Sequence, residues 1–266
     1  MRTDAPPSYT VFLVFMLSAF SMIVVGGFIQ LLVPLAVGLM LSEVLCVMGP
    51  ALLYRRSYDF EWLALGPRET WPVRAFPTFV VIAATVGLGF MANVLVGLLV
   101  HAVPSLGANQ ADYQALMAKL LNPPQWWLAV AGAVAITVFA PVCESFVSGH
   151  DAARAAALHA GAVGSALNGV MFGAIHFNEM SLIPLSLVGA FFAWITWRTE
   201  SLWPAIACHA TMNAVNGVIL PRIVGFDASP QSPLNDLLVA LAVLGAILVP
   251  AMVVLHHRLP RPMEAQ

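Results

Sequence analysis

Charge is the first thing this chain lacks. Of its 266 residues only 9% are Asp, Glu, Lys or Arg, and Lys119 is the single lysine. Soluble domains carry about a quarter charged residues, so a scarcity this deep excludes an ordinary water-exposed surface. The net charge of -2, with no basic cluster, excludes nucleic acid as a partner, because nothing is present to neutralise phosphates. Cysteine is nearly absent too. Cys46, Cys143 and Cys208 all fall in apolar runs and form no CxxC pair, which excludes a disulfide framework and a cysteine redox or metal pair and leaves them as small core residues. No internal repeat, charge block or low-complexity tract is found, and SPQSP at 229–233 is a short loop. The alternating strands of a membrane barrel are missing as well.

What is present is apolar length. Hydrophobic residues make up 60% of the chain and the mean hydropathy is +0.87. A helix needs about 20 apolar residues to cross a hydrocarbon core. Runs of that kind lie at 9–31, 32–54, 76–100, 126–158, 161–178, 180–197, 202–221 and 236–256. The expectation is an all-α polytopic membrane bundle of about eight transmembrane helices. The first run lacks a small-residue cleavage site and reads as a retained span. Pro34 and the Gly49-Pro50 pair punctuate the second, which predicts a kinked or re-entrant segment. ADYQALMAKLL, inside the connection 101–125, reads as an amphipathic helix at the interface, and Trp126-Trp127 marks a membrane boundary. The chain divides into 1–125, amino-terminal spans and connector; 126–216, a core; and 217–266, a loop, last span and tail. With the amino terminus in the cytoplasm, nine arginines fall inside and only Lys119 and Arg222 outside. That bias predicts an integral protein of a bacterial cytoplasmic membrane with both termini cytoplasmic.

One acid breaks the apolar pattern at depth. From Trp127 to Arg154 a helix covers roughly 40 Å, the full bilayer, so Glu144 sits roughly 15 Å deeper than Arg154. An ionisable group there costs a few kcal/mol and by default faces a polar interior. Pro141 precedes it and frees a backbone carbonyl nearby. The chain turns near Gly161, with Glu144 17 residues before it and His176 15 after, so an antiparallel pair brings the two level. His209 and Asn213, four apart on one helical face, reach the same depth from a third helix. A carboxylate in an apolar cavity can act as general base toward water, and neutral imidazoles can hold that water or donate to an oxyanion. Asn213 can orient His209 or donate to the oxyanion itself. The set suits hydrolysis of a peptide bond. Glu43 has no evident partner in the sequence and reads as a packing residue, while His101, His159, His256 and His257 read as interfacial.

Three ordered blocks, APVCE at 140–144, FGAIH at 172–176 and SLWPAIACHATMN at 201–213, resemble the CPBP (CAAX protease and bacteriocin-processing, or Abi) intramembrane proteases, whose motifs are E-E-x-x-x-R, F-x-x-x-H and H-x-x-x-N/D. The resemblance covers about residues 126–216, and FEWLALGPRETWP resembles the loop that precedes this core in the family. It implies an intramembrane endopeptidase acting on membrane-embedded or membrane-associated proteins. Glu144 is then the base, with His176, His209 and Asn213 as its partners. It leaves the cofactor open: none, or zinc held by Glu144, His176 and His209. The chain departs from the first motif, with Ser145 for the second glutamate, Gly149 for the arginine and the polar run SGHD (148–151), whose His150 and Asp151 could restore some polar function. A pseudoprotease that captures membrane partners is therefore the second reading, and a proton-coupled transporter, which lacks the expected inverted repeats, the third.

Overall fold

The computed structural model describes residues 8–57, 75–145, 161–199, 201–224 and 232–259. Among the described residues every regular element is helical, so the all-α bundle expected from the apolar runs is what forms. Six helices are long and apolar enough to cross a membrane: Phe12–Leu32, Leu35–Leu53, Thr78–Ala102, Trp126–Ser145, Leu182–Thr199 and Leu234–Arg258. The chain is an integral membrane protein. Six of the eight expected runs reach that length among the described residues. The runs at 161–178 and 202–221 are helical, but Gly161–Ala174 has only 14 residues, about 21 Å of rise. The helix Trp203–Met212, which continues through Asn213–Ile219 and Leu220–Val224, carries His209, Asn213, Asn216 and Arg222, which dilute its apolar character.

The first two spans form an antiparallel hairpin. Its turn is Val33-Pro34, where Val33 is extended and the Gly38 N–H bonds back to the Pro34 carbonyl at 2.9 Å. Pro34 thus separates two spans and does not kink one. Ser42 closes the hairpin by donating to the carbonyls of Gly38 and Gly26, 2.7 and 3.2 Å away. Gly49-Pro50 causes no break either, because the turns before it, Glu43–Met48, widen to a π-helix. The same device recurs: Ala135–Phe139 precedes Pro141, and Asn213–Ile219 precedes Pro221. Proline lacks an N–H and crowds the carbonyl a turn earlier, and a locally wider helix absorbs both problems.

Leu182–Thr199 is the centre of the bundle, with ten of its residues buried. It packs tightly on Gly161–Ala174, because glycines line their contact. A Cβ on Gly169 would lie 2.3 Å from the Ser186 carbonyl oxygen, and one on Gly173 2.5 Å from that of Leu182. Apolar helices in lipid gain nothing from mutual hydrophobicity, so close backbone approach over small residues supplies the attraction. Thr78–Ala102 and Leu234–Arg258 pack together on the same core through Val81, Ala84, Leu248 and Leu255. The buried Arg198 guanidinium ties the end of the last helix by donating to the carbonyls of His256, at 2.7 Å, and Leu259, at 2.6 Å. Carbonyls of a helix's final turn have no partner inside the helix, and here a cation supplies one. The amphipathic stretch forms the helix Leu106–Leu121, joined to Leu220–Val224 by the Arg222 guanidinium donating to the Leu121 carbonyl at 2.9 Å.

Segments 58–74 and 146–160 lie outside the described residues. So do the expected pre-core loop and the sequence-level departures at Gly149, His150 and Asp151.

Candidate active site

Glu144 stands near the end of the described part of the span Trp126–Ser145, one turn beyond the π-helical segment and Pro141. The π turn has a specific effect. The Ala140 N–H bonds to the Ala135 carbonyl, and Pro141 has no N–H, so the Ile136 carbonyl is left without a donor in its own helix. Asn213 supplies one, its Nδ2 donating at 2.9 Å. Asn213 therefore clamps the helix of Glu144 to the helix of His209. Its backbone N–H bonds to the His209 carbonyl within the helix, while its side-chain amide turns to Ile136 and not to the His209 ring.

His176 comes just after Gly161–Ala174, where the chain leaves the helix through turns. The next residue, Phe177, has φ 49°, the one positive φ of a non-glycine residue among those described. A Cβ makes that region costly, by roughly 1–2 kcal/mol, and its use beside His176 shows that the surrounding packing dictates the turn. The His176 Nδ1 lies 2.7 Å from the Phe172 carbonyl, which can only accept. That fixes the proton of the neutral ring on Nδ1 and leaves Nε2 as an acceptor.

Both imidazoles reach one oxygen. The Nε2 atoms of His176 and His209 lie 3.7 and 3.9 Å from Glu144 Oε2. The level placement inferred from chain length thus brings Glu144, His176 and His209 together, with Asn213 a turn from His209. At these separations the polar atoms can be bridged by a small oxygen-bearing molecule better than by a direct hydrogen bond. His209 is 2% exposed and its Nδ1 has no hydrogen-bond partner. A buried N–H without an acceptor is rarer than a buried lone pair without a donor, which places the proton on Nε2, facing Glu144. The two rings thus present opposite chemistry to the same oxygen: an acceptor from His176 and a donor from His209.

Aromatic rings hold this arrangement. The Phe172 ring packs between the imidazoles, its centroid 4.9 Å from that of His176 and 5.4 Å from that of His209. Phe192 stacks on His209 with ring centroids 5.0 Å apart. Gly189 makes the room, since a Cβ there would lie 2.5 Å from Phe172 Cβ. Phe192 carries no sequence signal, being one phenylalanine on an apolar helix.

Glu43, which has no evident partner in the sequence, lies close to this cluster. It is 4% exposed, begins the π-helical segment Glu43–Met48, and stands within electrostatic reach of both Glu144 and Cys143. Val47, a turn further on, packs in one cluster with Cys143, and Met48 and Val142 both pack on Leu202 and Ile206. The Glu43 Oε2 is buried without a hydrogen-bond partner. The available signal was an acid in an apolar run, but its partner is 101 positions away and no spacing rule links them. Ser145, where the family motif has its second acid, is buried at 4%. The second carboxyl near Glu144 instead arrives from the first hairpin.

No group of three His, Cys, Asp or Glu side chains among the described residues stands so as to hold a metal ion. As placed, Glu144, His176 and His209 do not form such a group. His256 and His257 lie at the end of the last helix, away from this cluster, and His101 ends Ala75–Ala102.

Neither the curated proteins nor the solved structures compared with the chain gave a match. Residues 125–215 do match a family model, Rce1-like, described as type II CAAX prenyl endopeptidase Rce1-like. The stretch that carries Glu144, His176, His209 and Asn213 is thus similar to the CAAX proteases of membranes, the relationship that its three motifs point to.

Proposed function

We propose that the chain is an intramembrane endopeptidase that cleaves membrane-embedded or membrane-associated proteins with a water activated by Glu144. The observation that carries the reading is the convergence of two imidazole Nε2 atoms on Glu144 Oε2 inside the segment that matches the CAAX-protease family. In the step proposed, a water donates one hydrogen to Glu144 and the other to His176 Nε2, which aligns its lone pair on a peptide carbonyl. As the C–O bond forms, Glu144 takes the proton and the carbonyl electrons move to oxygen, where the His209 Nε2–H donates. Collapse of the tetrahedral carbon breaks the C–N bond, and Glu144 passes its proton to the departing amine. Positioned acid–base groups of this kind contribute about 10²–10⁴ in rate, and one oxyanion donor about 10²–10³. The arginine distribution supports a cytoplasmic membrane with both termini inside, which sets the site nearer the cytoplasmic face.

The experiment is to incubate the purified full chain with membranes of a strain lacking it and to map new protein termini. New termini with the native chain and none with Glu144→Gln are expected; the same termini at the same rate with both would remove Glu144 as base. Ser145 in place of the motif's second acid favours the alternative, a pseudoprotease that captures membrane segments. That reading gains if partners co-purify equally with both forms while no new terminus appears.

A further inference from the structure

Beside Asn213 opens a cavity of about 360 Å³. Its walls come from the span Ala75–Ala102, the amphipathic helix Leu106–Leu121 and the continuous stretch 212–221, with Leu185 of the central helix. Five of the side chains lining it are carboxamides: Asn93, Gln110, Gln114, Asn213 and Asn216. Among the described residues no charged side chain lines it.

The amphipathic helix accounts for much of this. Gln110, Tyr113, Gln114 and Met117 recur at three- and four-residue spacing, so they form one face, and that face is turned into the cavity. A helix lying at the interface would ordinarily give its polar face to water and headgroups. Here it gives its amides to a recess among apolar helices. Asn216 reaches the recess because residue 89 is glycine: a Cβ there would lie 2.1 Å from Asn216 Nδ2. The amide then donates to the Met212 carbonyl at 3.2 Å, which fixes its orientation.

The chemistry of that lining selects a ligand. A carboxamide offers both donors and an acceptor and carries no charge. A phosphate or carboxylate would call for a cation and an ammonium group for an acid, while a lipid tail would suit Leu185, Met212 and Leu220 but leave the amides unpaired. A peptide backbone presents N–H and C=O groups in alternation, and away from water each must find a partner. Asn213 and His209 are four residues apart on one helix, about 6 Å along its axis, which is about two residues of extended chain.

We propose that this amide-lined cavity is the subsite that holds the substrate's backbone in extended form, about two residues from the bond to be cut. The proposal deepens the protease reading and rests on it for the direction in which the chain runs; occupancy of the cavity by a peptide does not depend on cleavage. Asn93 and Gln114 are then specificity-determining residues outside the reacting cluster.

The test uses the full chain in lipid nanodiscs and a blocked, uncharged nonapeptide bearing one diazirine side chain, with crosslinks mapped by mass spectrometry. Adducts on the lining segments 89–93, 110–117 and 212–221 are expected from both the native chain and Glu144→Gln. Asn93→Leu with Gln114→Leu should lower them about tenfold. The same peptide with its backbone nitrogens methylated should label the native chain equally weakly, and this arm needs no altered protein. Adducts elsewhere, equal labelling by the methylated peptide, or labelling of these segments by a diazirine phospholipid that excess peptide does not displace would each overturn the subsite. Labelling as expected with no new termini in any membrane would retain the subsite and remove the protease reading. New termini together with adducts elsewhere would do the reverse.

Discussion

Asn213 donates a hydrogen bond to the backbone carbonyl of Ile136 across 77 positions of sequence, and that bond exists because Pro141 and a π-helical turn leave the carbonyl unused. The two features should therefore be energetically coupled. Asn213→Leu alone buries an unpaired carbonyl and should cost about 1–3 kcal/mol. Pro141→Ala restores an N–H to which the carbonyl can turn, so Asn213→Leu should cost less in that background. Thermal unfolding of the four proteins in one detergent measures the coupling. Strictly additive shifts would mean that the proline does not create the need for the amide.

Glu43 should act on the reaction through Glu144. A carboxyl within electrostatic reach of the base is placed to orient it, and glutamine keeps a hydrogen-bond donor where leucine does not. Glu43→Leu should lower kcat about tenfold or more with KM nearly unchanged, and Glu43→Gln should recover most of the loss. Equal losses in the two variants, or a change confined to KM, would make Glu43 a packing residue after all.

Gly173 faces the Leu182 carbonyl oxygen across a helix contact too tight for a side chain. Gly173→Val should push Gly161–Ala174 away from Leu182–Thr199 and carry Phe172 and His176 with it. Because misplacement of about 1 Å costs about 10²-fold in rate, activity should fall by that order even in protein that remains folded. Gly245 has nothing within 4 Å of its Cβ position, so Gly245→Val is the matched control and should keep full activity.

Arg198 joins the central helix to the last one, and its loss should appear in stability before it appears in chemistry. Arg198→Met keeps the aliphatic stem but removes both bonds to the carbonyls of His256 and Leu259, at a cost of about 2–5 kcal/mol. Denaturation in detergent should show this, while cleavage per folded molecule at low temperature stays near normal. A cleavage defect without loss of stability would place Arg198 in the reaction instead.

Apolar length in the sequence is sufficient for a helical membrane bundle, because lipid leaves the backbone no other way to satisfy its polar groups short of a barrel. Counting residues from a turn expected near Gly161 put Glu144 level with His176, since a helix rises by a constant amount per residue, and the two do lie 3.7 Å apart, while the chain between them at 146–160 lies outside the described residues. The four-residue spacing of His209 and Asn213 likewise put both on one face. Three matters lay beyond that reasoning. The neighbourhood of Glu43 and Glu144 depends on how the first hairpin packs against the core, and hydrophobic periodicity says nothing about which apolar face meets which. Pro34 was read as interrupting a span and is instead the turn between two, a distinction made by what the flanking helices pack against. The proton positions on His176 and His209 follow from the Phe172 carbonyl and from an unpartnered Nδ1, which are local contacts that no spacing encodes. Sequence thus determined which chemical groups enter the membrane and at what depth, through rise and hydropathy. Only the packing of helices around Phe172 decided which of them face one another, because side-chain direction about a bundle axis is set by contacts between helices and not along any one of them.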